Sequence, residues 1–138
     1  MAADEIEFEF EFGGCKLNDP ATEGAVVALE RETGFRLPLA YREFMLRSNG
    51  LEGFIGKRHY LVLWPVERIA ELNAAYGVSE FAPGLLLIGS DGGDSAYAFD
   101  TRLESSPLVE VPFIGMSLDE LKRKDSSLAA LLSRLRMG

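Results

Sequence analysis

The chain has 138 residues, 47% of them hydrophobic and 26% charged, and its 14 basic against 22 acidic side chains give a net charge of −8. That length suits a single domain over residues 1–138 with a core that needs no staple, and the lone Cys15 excludes both an intramolecular disulfide and a cysteine-based metal site. The acid excess argues against nucleic acid as partner; no apolar run nears the roughly 20 residues that span a bilayer; and the acidic start Met1-Ala2-Ala3-Asp4-Glu5 lacks the pattern of a secretory leader, so a cytoplasmic protein is expected.

Ile6, Phe8, Phe10 and Phe12 alternate with Glu5, Glu7, Glu9 and Glu11, the period of a half-buried strand with an acidic outer face, up to Gly13-Gly14. Asp19-Pro20-Ala21-Thr22 opens a helix, with Asp19 or Thr22 as its cap; Ala25, Val26, Leu29 and Thr33 share one side, and Gly34 ends it. Pro38 suits the first position of a second helix, whose Tyr41, Phe44, Met45 and Ser48 form an inner face before Asn49-Gly50. Gly50, Gly53 and Gly56 predict a loop over 50–57, followed by a strand from Tyr60 to Leu63.

Pro65 opens a third helix, to Tyr76, with Ile69, Ala70 and Asn73 inward. Leu85 to Ile88 has the length and content of a buried strand. The turn formers Gly89-Ser90-Asp91-Gly92-Gly93-Asp94 lead into a returning strand from Ser95 to Thr101, with Tyr97 and Phe99 on one face and Ala96, Ala98 and Asp100 on the other. Val109 to Ile114 reads as a further strand, placed at an edge by Pro112. Ser117 caps a last helical region whose stripe is Leu128, Leu131, Leu132 and Leu135, and the basic residues Lys122, Arg123 and Lys124 fall on its solvated side. This order does not alternate as a parallel doubly wound sheet does. It predicts an α+β fold, a mostly antiparallel twisted sheet with helices packed on one face.

Several of these residues together resemble the SUKH superfamily, which holds the fungal cell-wall-assembly regulator and many bacterial immunity proteins. Ala28-Leu29-Glu30, Gly34, Leu37-Pro38, Tyr41, Phe44 and Asn49-Gly50 are similar to its N-terminal signature. Trp64-Pro65 with the helix to Asn73 is similar to its middle element, and Ile88 to Asp94 followed by Tyr97, Phe99 and Asp100 to its glycine-rich hairpin. The resemblance runs from about Phe10 to Leu135 and implies an α+β fold without enzymatic activity. It implies a protein that binds a protein: an immunity protein neutralising a toxin, frequently a nuclease, or else a regulatory scaffold with several weak partners. It transfers no fixed set of partner-binding residues.

The residues themselves mark no catalytic constellation. The only histidine, His59, and the only thiol, Cys15, are not tied together by any motif. Asp91, Asp94 and Asp100 could gather three carboxylates, but their spacing is not that of a calcium-binding loop, and Asp91 and Asp94 more simply bond a turn backbone. No catalytic residue, cofactor or metal is therefore assigned. The candidates for partner binding are the acids Glu7, Glu9, Glu52, Asp91 and Asp94 and the aromatic anchors Phe54 and Trp64, since aromatic residues dominate interface energetics and acids suit a basic partner such as a toxin domain. The leucine stripe is most simply core, with a homodimer face as the alternative.

Overall fold

In the computed structural model, which describes residues 12–137, seven strands cross one antiparallel sheet in the order in which the chain makes them. They are β1 (Cys15–Leu17), β2 (Leu51–Ile55), β3 (His59–Leu63), β4 (Leu85–Ser90), β5 (Ser95–Asp100), β6 (Leu108–Pro112) and β7 (Lys122–Asp125). Helices α1 (Glu23–Thr33) and α2 (Leu39–Met45) fall between β1 and β2, α3 (Val66–Ala75) and α4 (Val78–Phe81) between β3 and β4, and α5 (Leu128–Met137) follows β7. This is the α+β arrangement that the sequence predicts.

Local chemistry sets the helix ends. The Thr22 hydroxyl accepts the Ala25 N–H at 3.1 Å, so Thr22 and not Asp19 caps α1. Gly34, at φ 70°, ends it in the left-handed conformation and donates its N–H to Glu30 O. Pro38 departs from expectation: its ψ of 143° makes it the residue before α2, not the first residue in it. The caps of α2 and α3 are both prolines without a side-chain acceptor, and at α3 a remote residue supplies one. Asn49 Oδ1 accepts the Val66 N–H at 2.8 Å while its Nδ2 donates to Glu67.

The four longer helices share one core on one face of the sheet. Val26, Leu29, Phe44, Ile69 and all four leucines of the α5 stripe meet Leu61, Ile88 and Phe99 there. Leu128, Leu131, Leu132 and Leu135 are at most 2% exposed, so this core consumes the stripe and none is left as a dimer face. Each such leucine contributes about 1.5–3 kcal/mol by leaving water. The opposite face of β4–β6 carries a second, smaller core. Leu87, Ala96, Ala98 and Val111 lie beneath Val78 and Ala82 of the α4 region and beneath Met116. β4 is thus buried on both sides, which is why it reads as an unbroken apolar run.

Four further expectations need correction. Residues 51–55 are strand, not loop: β2 alternates buried and exposed and pairs on both sides. Its Gly53 serves close strand approach, since a Cβ there would lie 2.6 Å from Cys15 Cα. Second, β6 is interior, with Pro112 at its last position, because the unforeseen β7 pairs beyond it. Third, Lys122, Arg123 and Lys124 therefore lie on an exposed strand and not on a helix; such charges deter edge pairing. Fourth, Ser117 caps only a short 3-10 turn, Leu118–Glu120, accepting the Asp119 N–H. The predicted acidic strand from Glu5 lies outside the described residues except for Phe12, which is buried edge-to-face against Phe44 at 5.5 Å.

β3 pairs with β4 only through Val62–Ser90 and Leu63–Gly89, because the chain then turns into α3. Asn73 of α3 fills the vacant ladder position. Its Oδ1 accepts Leu87 N–H and its Nδ2 donates to Leu87 O, both at 2.9 Å, so a side chain acts as a one-residue strand.

Candidate functional site: an aromatic cleft rimmed by acids

The face of the sheet opposite the four longer helices is covered over β4–β6 and open over β2–β3. Register decides what the open part displays. Glu52 pairs with Val62 and Phe54 with Tyr60, and these four point away from the helical core that holds Leu51, Ile55, Leu61 and Leu63. Where the open part meets the covered part lies a cleft of about 700 Å³. Tyr60, Val62 and Trp64 form one wall, and Tyr76, Phe113 and Ile114 another. The β4–β5 turn closes an end with Gly92, Gly93 and Asp94.

The rings are ordered. Trp64 and Tyr76 lie nearly parallel, 13° apart with centroids at 6.3 Å, and Tyr76 packs on Phe113 at 4.7 Å. Trp64 also touches both cores, which fixes it at their junction. Phe54 stands edge-on to Tyr60 at 5.1 Å, beyond the cleft wall, and is 51% exposed. Ile114 is 92% exposed. Backbone geometry holds the turn against this wall: at Gly92, φ 83°, a Cβ would lie 2.6 Å from the Tyr60 ring.

Polar groups sit at the rim. The Tyr60 hydroxyl donates to Glu52 at 2.7 Å, and this bond raises the phenol's pKa. Asp94 holds the end of β6 through its backbone, its carbonyl accepting Phe113 N–H at 2.9 Å. Its carboxylate is exposed and makes no hydrogen bond or ion pair with the described residues. Asp91 is spent locally, since its Oδ1 accepts the N–H groups of Gly93 and Ser95. Asp100 lies at the far end of β5 from this turn. It is 2% exposed and held by the Arg102 guanidinium at 2.9 Å through both oxygens, which keeps its carboxyl below the usual range. The three aspartates therefore do not converge.

Of the candidates named from sequence, Glu52, Trp64 and Asp94 line this one cleft, Phe54 stands beside it, and Asp91 shapes its turn. Glu7 and Glu9 lie outside the described residues. Sequence reasoning missed Tyr76, Phe113 and Ile114. A strand run on to Ile114 hid the last two, although Pro112 followed two residues later by so large an apolar side chain and Gly115 was the available signal. Cys15 offers no reactive thiol: it donates to Phe54 O at 3.4 Å, and burial pushes its pKa up.

The model of the SMI1 / KNR4 family (SUKH-1) matches residues 20–134, a span that includes the whole cleft. The uncharacterized protein YnaB of Bacillus subtilis (strain 168) is 31% identical over 104 residues, covering 75% of this chain and 66% of YnaB, so the matched stretch falls just short of two thirds of that relative. The N-terminal signature residues serve architecture. Leu29, Tyr41 and Phe44 are buried, Glu30 accepts Leu37 N–H and pairs with Arg42, and Asn49 caps α3.

Proposed function

Because the chain belongs to the SMI1 / KNR4 family (SUKH-1), we propose that it is a non-catalytic protein-binding module whose partner sits in the aromatic cleft. The observation that carries this reading is the convergence of Trp64, Tyr76, Phe113 and the outlying Ile114 on one concavity, where scattered apolar residues would mean nothing. Tyrosine and tryptophan set in a concave, partly dry site are the usual anchors of protein interfaces. The net charge of −8 and the acidic rim favour a basic partner and its electrostatic steering. An immunity protein that masks a basic toxin domain, such as a nuclease, fits these features. The same cleft serves a cytoplasmic regulatory scaffold if its partners are several and weak.

Affinity capture from the native cells separates these, run in parallel with the intact chain and with Ile114→Asp. A single stoichiometric basic partner, retained through a salt wash by the intact chain and lost by Ile114→Asp, is the expected result. A partner retained equally by both sinks the cleft as the binding surface. Many faint partners shared by wash-sensitive contacts turn the reading toward the scaffold.

A further inference from the structure

We propose that the cleft is a receptor for one cationic side chain of a partner protein, arginine in preference to lysine; this rests on the protein-binding reading above for the source of that side chain. Four rings, Tyr60, Trp64, Tyr76 and Phe113, line the space. The face of an aromatic ring is negative and attracts a cation held within about 6 Å of its centroid. Among the described residues, the formal charges lining the cleft are Glu52 and Asp94, both negative.

Neither acid is neutralised by a described residue, unlike Glu23, Glu30, Glu71, Asp100 and Asp125, which each meet an arginine of the same chain; what sets these two apart from the other acids without an ion pair is that they line a cleft walled by four rings. Glu52 is bonded to the neutral Tyr60 hydroxyl, which brings no countercharge, and the Asp94 carboxylate has no partner among the described residues. A purely apolar occupant would strip water from both carboxylates and return nothing. A guanidinium stacks flat on an aromatic ring and forks onto a carboxylate, which a lysine ammonium cannot do, and this sets the preference. The cleft, at about 700 Å³, is larger than one side chain and leaves room for the backbone that carries it.

Trp64 is the single tryptophan, so its emission and its indole N–H resonance report occupancy without a label. The probe is a capped Gly-Gly-Arg-Gly-Gly peptide titrated to concentrations on the order of 10 mM, beside its lysine and citrulline analogues. The arginine peptide is expected to saturate both signals, with citrulline binding at least about tenfold weaker and lysine between them. In Glu52→Gln/Asp94→Asn, both exposed positions, arginine binding falls several-fold and loses its salt dependence. Citrulline binding as well as arginine, or no saturable change in either signal, overturns the proposal. If arginine fails while capture still depends on Ile114, the protein-binding reading stands and the cation site falls. If arginine saturates Trp64 and no partner is captured, the cation site stands without it.

Discussion

The two faces of the sheet are built from the same strands and finished differently. One is sealed by four helices over large side chains such as Phe99, Ile88 and Leu61. The other rests on Ala96, Ala98 and Val111, small enough for α4 and the 113–121 segment to lie close, and its cover stops short of β2 and β3. The sealed face holds stability; the open face leaves large apolar side chains such as Phe54 and Ile114 exposed. Division of labour within a single sheet follows from the alternation of strands: each residue of β3 serves one face or the other.

The contrast can be broken first on the sealed side. Leu132→Ala, at a position 1% exposed, is expected to lower unfolding stability by about 2–5 kcal/mol in a urea titration. Asn73→Ala comes next, since it strands the Leu87 N–H and C=O; about 1–3 kcal/mol is expected by the same measurement. On the open side, Gly92→Ala forces a side chain into left-handed backbone against Tyr60. It should cost about 1–2 kcal/mol and shift Trp64 emission, because the wall that Trp64 shares with Tyr60 must move; an unchanged spectrum would separate the turn from the cleft.

The smallest effect is expected from pH. Asp100 has its folded pKa depressed by Arg102, so its contribution is fully present above the unfolded value of about 3.9 and is lost as pH falls through the folded pKa. Asp100→Asn should flatten that part of the acid limb of stability, with neutral-pH emission from Trp64 unaltered. Substitutions away from the cleft would then report through unfolding stability alone, and Gly92→Ala through Trp64 emission as well.

Much of this was legible in the sequence, and the failures share a cause. Helix ends written in local chemistry, Thr22 and Gly34, could be read, as could the two-faced β5. The β2 strand was hidden by three glycines, because Gly50, Gly53 and Gly56 serve close approach to backbone elsewhere in the chain, at Leu63, Cys15 and Arg136. β7 was hidden because its basic residues stand exposed at an edge, where no hydrophobic alternation marks a strand. Trp64, Glu52 and Asp94 were noticed one at a time for their chemistry; that they share a cleft with Tyr76 and Ile114 depends on register and on where β6 ends.

Strand order equal to chain order has a consequence for how the molecule is made. Each strand pairs with the one synthesised just before it, so the sheet can be extended behind the ribosome without waiting for distant partners. The larger core cannot close on that schedule. Leu128, Leu131, Leu132 and Leu135 follow all seven strands, so before α5 is made the sheet is complete and three helices cover a core that still lacks these four leucines.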